Sequence, residues 1–142
     1  MERLLVSDDD DLLRGAMVHQ LRRAGYAVLE ARNGLEAVDL IERVPLSVML
    51  LDLKMPHMDG MSVLRRCRTH YATLPIIVTT GQRDVASAVE ATRLGAVAYL
   101  VKPFAADVLS QAVTAALSAS RNHARAALTD PPSTGYGRMI GR

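Results

Sequence analysis

Acidic side chains follow two apolar segments of this 142-residue chain. Asp52 directly follows one such segment, and Asp8 and Asp9 follow another near the N-terminus. Continuous apolar runs are typical of strands buried on both faces of a parallel sheet, and the carboxyl ends of such strands share one ligand-binding edge. We therefore expect these carboxylates to meet. Because crowded carboxylates repel one another unless they are protonated or bind a cation, the sequence predicts a divalent cation site, and Mg²⁺ matches its oxygen ligands.

Two more polar side chains follow predicted strands: Thr80 ends the fourth apolar run, and Lys102, with Pro103 after it, follows the fifth. A carboxylate, a cation site, a hydroxyl and an ammonium on one edge of a sheet are the groups that phosphoryl transfer to an aspartate requires. The cation and the ammonium would stabilise charge on the phosphoryl oxygens, and the hydroxyl would hydrogen-bond one of them. Asp52 is the residue that we expect to carry this chemistry.

The segments that must position these residues alternate in hydrophobic period. Short apolar runs predict strands, and between them apolar residues recur at helical spacing. This alternation predicts an α/β fold, with a doubly wound five-stranded parallel sheet, right-handed crossovers and helices on both faces. Asp10 and Asp11 are interpreted as helix-start residues, because negative charge is favourable at a helix N-terminus. The five runs are Leu4–Ser7, Tyr26–Ala31, Leu46–Leu51, Pro75–Thr80 and Val97–Val101.

Length and composition set limits on the class of protein. A chain of 142 residues, 49% of them hydrophobic, fits one domain with a single sizeable core. Uncharged stretches such as residues 44–51 are far too short to span a membrane, and the N-terminus leads into a strand rather than a signal sequence. We therefore expect a cytoplasmic protein without membrane association. The single cysteine, Cys67, excludes an internal disulfide framework and a thiolate metal cluster.

Positive charge is concentrated at the C-terminal end. From Arg121 onward four arginines face one aspartate, so with a formal net charge of +2 the preceding residues carry about −1. The sequence pI of about 9.0 is therefore no sign of a basic nucleic-acid surface, and we expect no direct nucleic acid binding by the folded part. Residues 120–142 are rich in Ser, Arg, Pro and Gly, which predicts a folded domain over 1–119 followed by a flexible linker or tail.

Four segments resemble the motifs of response regulator receiver domains of two-component signalling, and the resemblance covers residues 2–118. Any one of these motifs is a weak signal, but their combination in this order is specific. The resemblance implies the flavodoxin-like strand order 2-1-3-4-5. It also implies a phosphoacceptor signalling domain rather than an enzyme, one that catalyses only its own phosphorylation and dephosphorylation. The four segments are Leu5–Asp10, Asp52–Gly60, Val78–Gly81 and Tyr99–Phe104.

The resemblance implies roles for the acidic residues. Asp52 would accept the phosphoryl group from a histidine kinase, a phosphotransfer protein or a small acyl phosphate. Asp9 would bind Mg²⁺ directly, Asp8 would assist through water, and the backbone carbonyl of Lys54 would complete the protein ligands. Alone, the acidic cluster at residues 8–11 would be equally compatible with a solvated helix start.

The resemblance also implies a switch at the fourth and fifth strands. Thr80 would contact the phosphoryl group, Lys102 would pair with it, and Tyr99 would move inward when Thr80 moves. The peptide bond before Pro103 would be cis, a geometry that is essentially confined to proline. For Tyr99 the alternative interpretation is an ordinary half-buried strand residue.

Two positions are expected to tune dephosphorylation. Lys54 lies two residues after Asp52 and Gln82 two residues after Thr80, where family members commonly set the access of water to the acyl phosphate. A long cation at Lys54 would shield the phosphoryl group or pair with it. The sequence therefore predicts slow self-dephosphorylation.

The predicted output is a changed surface on the fourth helix, fifth strand and fifth helix, which would control transcription or form a homodimer. Residues 136–142 resemble the opening of the ATPase domain of enhancer-binding transcription activators, which predicts the N-terminal part of a longer regulator. A stand-alone receiver that acts through protein–protein interaction is the alternative. A haloacid-type phosphohydrolase also uses a strand-end aspartate and Mg²⁺, but it requires a second aspartate where Lys54 stands.

Overall fold

Strands and helices alternate along the chain. A computed structural model describes residues 2–81 and 85–129. Each predicted apolar run coincides with one strand apart from small differences at its ends, which confirms the α/β alternation. The strands are β1 (Arg3–Ser7), β2 (Ala27–Ala31), β3 (Val48–Asp52), β4 (Ile76–Thr80) and β5 (Ala98–Val101). The helices are α1 (Asp11–Arg23), α2 (Gly34–Arg43), α3 (Gly60–His70), α4 (Val85–Arg93) and α5 (Ala106–Thr129).

The strands form one parallel sheet in the order β2-β1-β3-β4-β5, which confirms the strand order implied by the resemblance. Ser7, the last residue of β1, is in register with Leu51, and Asp52 is in register with Thr79. The carboxyl ends of β1, β3 and β4 therefore lie side by side, as the strand-end argument requires.

A hydrophobic core lies on each face of the sheet, and this confirms the prediction of helices on both faces. One core packs α2, α3 and α4 against the sheet through residues such as Ile41, Leu64 and Ala91. The other packs α1 and α5 through residues such as Leu21 and Val113. Cys67, on α3, is buried in the first core, and burial raises the pKa of its thiol to about 11. It therefore stays a protonated packing residue.

Short polar side chains begin three of the helices. Asp10 accepts hydrogen bonds from the backbone nitrogens of Leu12 and Leu13, which confirms its interpretation as a helix-start residue. Asn33 caps α2 and Asp59 caps α3 in the same way. Each cap satisfies backbone N–H groups that have no partner within the first turn. The capped starts of α1 and α3 lie next to the strand ends that carry the acidic residues.

Helix α5 continues to Thr129, past residue 119, where the sequence predicted the end of the folded domain. The first ten residues of the predicted linker or tail are therefore helical, and the domain boundary at residue 119 stays a prediction. Alanine and arginine recur in this stretch, and their high helix propensity outweighs the Ser and Asn residues that suggested a linker. The rest of the predicted tail, residues 130–142, lies outside the described residues. In the described ranges, no helix combines the length and the apolar character that crossing a bilayer needs.

Candidate functional site

Two acidic side chains are buried at the carboxyl edge of the sheet. Asp8, directly after β1, is fully buried, and Asp52, the last residue of β3, is 4% exposed. Oδ1 of Asp52 accepts a hydrogen bond from the backbone nitrogen of Lys54 at 3.1 Å. Burial and the nearby charge of Asp8 raise the pKa of Asp52, although this backbone donor and Lys102 counteract the shift. The structure thus confirms the predicted convergence of these two strand ends.

Lys102 bridges the two buried carboxylates. Its Nζ donates to Oδ2 of Asp8 at 2.8 Å and to Oδ2 of Asp52 at 3.1 Å. Burial opposes the charged form of Lys102, but hydrogen bonds and charge from both carboxylates outweigh it and raise the pKa of the ammonium. The Lys102–Pro103 peptide bond is cis, as the resemblance implied. One positive charge therefore offsets two buried negative charges.

Carboxylate oxygens of Asp8, Asp9 and Asp52 lie within 4.8 Å of one another, and these three side chains are called the acid pocket below. Asp9 is exposed, so it gives the acid pocket an open side. Three hard anionic oxygen donors with room for water match the coordination of Mg²⁺. The single ammonium leaves excess negative charge, which a divalent cation would neutralise. The residues present therefore fit the predicted metal.

The sequence matches the family described as "Response regulator receiver domain" over residues 4–114. The chain belongs to this family. Among its relatives, the regulatory protein AtoC of Escherichia coli (strain K12) is 37% identical over 117 residues, which are 82% of this chain and 25% of AtoC. The transcriptional regulatory protein ZraR of Klebsiella oxytoca is 33% identical over 138 residues, 97% of this chain and 31% of ZraR. The receiver thus spans about a quarter to a third of the length of these two relatives.

Solved structures of receiver domains share the fold. A receiver domain protein (CheY-like) from Methanospirillum hungatei JF-1 has a TM-score of 0.84 at 26% identity, covering 87% of this chain and 98% of that chain. The structure of NtrX from Brucella abortus in complex with ADP has a TM-score of 0.86 at 25% identity, covering 95% of this chain and 31% of NtrX. The receiver is therefore a signalling domain of two-component systems.

The predicted switch residues of the receiver lie on the two strands beyond Asp52. Thr80 ends β4 fully buried, and its carbonyl oxygen accepts from the backbone nitrogen of Lys102 at 2.7 Å. Tyr99 is half-buried on β5 and packs against the core beneath α2, α3 and α4. These positions are compatible with the implied roles of Thr80 and Tyr99, which stay predictions. Gln82 lies outside the described residues.

Lys54 contributes to the receiver's site through its backbone. Its amide holds Oδ1 of Asp52, whereas its side chain is exposed beside a cleft of about 620 Å³. Asp9, Met55, Met61 and Ser87 also line this cleft, so it adjoins the open side of the acid pocket. A phosphodonor approaching from the cleft would meet the side chain of Lys54. Metal ligation by the Lys54 carbonyl stays a prediction.

The loop between β3 and α3 folds tightly against the receiver's acceptor strand. The backbone nitrogen of Gly60 donates to the carbonyl of Leu53 at 3.0 Å. A Cβ added to Gly60 would overlap the carbonyl oxygen of Asp52, so glycine is required for this approach. His57, near the middle of the loop, has φ of 70°, in the left-handed region. The start of α3 therefore packs directly against the backbone of Asp52, and His57 is a strained position in the loop before it.

Sequence reasoning missed Arg14, a buried arginine that contacts the backbone of Asp8. Its Nη1 donates to the Asp8 carbonyl at 2.8 Å, and its residue is 8% exposed. The signal was available, because Arg14 falls on the same helical face as the core residues Met17, Val18 and Leu21. A charged residue on a buried helical stripe requires a buried partner.

Proposed function

We propose that this receiver accepts a phosphoryl group on Asp52 in a Mg²⁺-dependent reaction. The observation that carries the proposal is the placement of Asp8, Asp9 and Asp52 within reach of one another, with the ammonium of Lys102 on the two buried carboxylates. The phosphodonor would be a histidine kinase or a phosphotransfer protein, acting in the cytoplasm, or a small acyl phosphate. Such a domain is not a conventional enzyme, because the group transferred stays on its own side chain.

The residues present support attack by Asp52. The backbone of Lys54 and the ammonium of Lys102 each hold one of its carboxylate oxygens, so the nucleophile is oriented before the donor arrives. A carboxylate oxygen would form the new bond to phosphorus as the bond from phosphorus to the donor breaks. Lys102 would then transfer its hydrogen bond to a phosphoryl oxygen. When bound, Mg²⁺ would supply further positive charge for the phosphoryl oxygens.

The conformational change caused by phosphorylation of Asp52 would be transmitted through β4 and β5. A phosphoryl group on Asp52 carries close to two negative charges where the carboxylate carried one, and its oxygens draw hydrogen-bond donors inward. Thr80 would be such a donor, and Tyr99 would follow it. Helix α4, which follows β4 in the chain, carries exposed apolar side chains: Val85 is 77% exposed and Val89 is 54% exposed. The face formed by α4, β5 and α5 is therefore the expected surface for a partner or for a homodimer.

We infer that the output is control of transcription by a longer regulator. Two relatives are named a regulatory protein and a transcriptional regulatory protein, and this chain corresponds to 25% and 31% of their lengths. A further domain that follows this receiver is therefore part of the proposal.

The test is phosphorylation by a small acyl phosphate such as acetyl phosphate, followed by intact mass spectrometry. The wild-type chain should gain one phosphoryl group in the presence of Mg²⁺ and none in the presence of EDTA. Asp52→Asn should gain none. Asp59→Asn is the matched control, because Asp59 is an acidic residue of the same loop that caps α3 and lies outside the acid pocket. An unmodified wild-type chain at saturating donor, or a modified Asp52→Asn chain, would contradict the proposal.

A further inference from the structure

Arg14 connects α1 to the end of β1 and to β2, next to the acid pocket. Its guanidinium donates to Oδ1 of Asp11 at 2.7 Å, to the carbonyl of Asp8 at 2.8 Å and to Oε1 of Glu30 at 2.9 Å. Its side chain is 9% exposed, whereas that of Asp11 is 81% exposed. The interaction with Asp11 is therefore largely solvated and weak. The buried contact with the Asp8 carbonyl joins α1 to the end of β1, and the partly buried contact with Glu30 joins α1 to β2.

These contacts fix both sides of Asp8. Its backbone nitrogen donates to the carbonyl of Ala31 at 3.0 Å, and its carbonyl accepts from Arg14. The carbonyl belongs to the peptide that joins Asp8 to Asp9, so Arg14 sets the plane of that peptide. Within the described residues, the carboxylate of Asp9 has no hydrogen-bond partner of its own. The backbone nitrogen of Asp10 donates to Oδ1 of Asp8 at 2.9 Å and holds the peptide after Asp9, whereas Arg14 holds the peptide before it. The direction of the Asp9 side chain therefore depends on both peptides.

The charge of Arg14 is paired with two carboxylates that lie outside the acid pocket. Burial disfavours the guanidinium, but hydrogen bonds to Asp11 and Glu30 outweigh it and raise the pKa of Arg14. These two carboxylates also balance its charge. Arginine suits this position better than lysine, because its planar fork reaches a carbonyl and a carboxylate at fixed angles.

We propose that Arg14 is a positioning residue for the cation site: it holds the Asp8–Asp9 peptide so that the carboxylate of Asp9 is preformed at the acid pocket. This inference rests on the proposed function. Groups that orient metal ligands typically change metal affinity by about 10- to 100-fold when they are removed. Arg14 acts on the ligand through the backbone, and it touches neither the cation nor the phosphoryl group.

The test compares Arg14→Lys with Arg22→Lys in Mg²⁺ titrations of the metal-free protein by calorimetry. Arg22 is the matched control, because it lies on the same helix, donates to the Val28 carbonyl at 3.0 Å and reaches Glu30 only at 3.9 Å, without contacting Asp8. Arg14→Lys should weaken Mg²⁺ binding by about tenfold, and Arg22→Lys should leave it within about twofold. Phosphorylation by acetyl phosphate should be slower in Arg14→Lys at low Mg²⁺ and return to the wild-type rate at saturating Mg²⁺.

Two further measurements separate positioning from general damage to the fold. Glu30→Gln keeps the Arg14 side chain but weakens one of its ion pairs, so it should reduce Mg²⁺ affinity less than Arg14→Lys does. This variant still tests the inference if Arg14→Lys folds poorly. Amide relaxation in metal-free protein should show increased motion at Asp9 in Arg14→Lys and not in Arg22→Lys. Unchanged Mg²⁺ affinity in both Arg14→Lys and Glu30→Gln would overturn this inference alone. A wild-type chain that does not bind Mg²⁺ would overturn the proposed function as well.

Discussion

The ammonium of Lys102 donates to Oδ2 of Asp52 at 3.1 Å, although the two residues are 50 positions apart in the chain. The same ammonium contacts Asp8, so it lies where a cation on the acid pocket would compete for oxygen atoms. Lys102 thus has two opposite effects on the proposed reaction. It weakens cation binding by charge repulsion, and it supplies positive charge for the phosphoryl oxygens.

Replacement of Lys102 should separate these effects. Lys102→Met should bind Mg²⁺ about tenfold more tightly, because an electrostatic repulsion of about 1–2 kcal/mol between the ammonium and the cation is removed. Its phosphorylation by acetyl phosphate should be about 100-fold slower, because a donor to the phosphoryl oxygens is lost. Calorimetry and mass spectrometry measure the two quantities, with Arg43→Met on the exposed side of α2 as the control for loss of a positive charge. Weaker Mg²⁺ binding by Lys102→Met than by the wild type would show that the Lys102 ammonium does not compete with the cation.

The raised pKa of Asp52 predicts a pH-dependent difference in stability. Between the ordinary aspartate pKa and the raised value, the folded protein binds more protons than the unfolded chain, so wild-type stability decreases as pH rises through that window. Asp52→Asn removes the buried charge and should be more stable than the wild type at neutral pH in EDTA. The difference should shrink as pH falls through the raised pKa.

Urea unfolding at neutral and mildly acidic pH measures this difference in stability. Asp39→Asn is the control, because Asp39 forms an exposed pair with Arg43 on α2 and should change stability little. An Asp52→Asn variant that is less stable than the wild type at neutral pH would show that the buried carboxylate stabilises the fold.

The exposed side chain of Lys54 predicts slow loss of the phosphoryl group. Lys54→Ala should lose it faster than the wild type after the donor is removed, because water reaches the acyl phosphate more easily. Intact mass spectrometry over time gives the decay rate. Lys54→Met separates shielding by bulk from pairing by charge, since it keeps the length and removes the ammonium. Faster decay in the wild type than in Lys54→Ala would refute the shielding role.

His57 is a site for stabilisation, because its φ of 70° strains any residue that carries a Cβ. His57→Gly should raise the free energy of unfolding by about 0.5–1 kcal/mol, the left-handed strain exceeding the added flexibility of the unfolded chain. His57→Ala is the control, because it removes the imidazole and keeps the Cβ, and it should not stabilise. Equal unfolding midpoints for the two variants in urea would count against a backbone cause.

Thr79 lies in register with Asp52 and is 1% exposed, and its hydroxyl has no hydrogen-bond partner within the described part of the chain. Thr79→Val keeps the shape and removes the unsatisfied hydroxyl, so it should stabilise the fold by about 1 kcal/mol. Urea unfolding measures the change. Thr92→Val is the control, because that hydroxyl is exposed and bonded to the Ala88 carbonyl. Loss of stability in Thr79→Val would reveal a partner for the hydroxyl in solution.

The sequence by itself determined the α/β class and most of the candidate site. Alternating hydrophobic periods give strands and crossover helices, and a parallel sheet brings all the strand carboxyl ends to one edge. Asp8, Asp52 and Lys102 could therefore be grouped before any contact was known, because each follows or ends an apolar run. Asp10 was likewise recognisable as a helix start, since capping is a local interaction.

Only the tertiary structure decided which residues contact one another across the sheet and at its carboxyl edge. That Lys102 bridges both buried carboxylates depends on strand order and register, which local periodicity does not encode. Arg14 appeared in the sequence as one more helical arginine, and its contact with the Asp8 carbonyl exists because α1 packs back over the end of β1. The extension of α5 to Thr129 was also missed, because composition suggested a linker where the helix propensity of alanine and arginine was sufficient. Local patterns fix the type and spacing of elements, whereas the partner of a buried charge is fixed by how those elements pack.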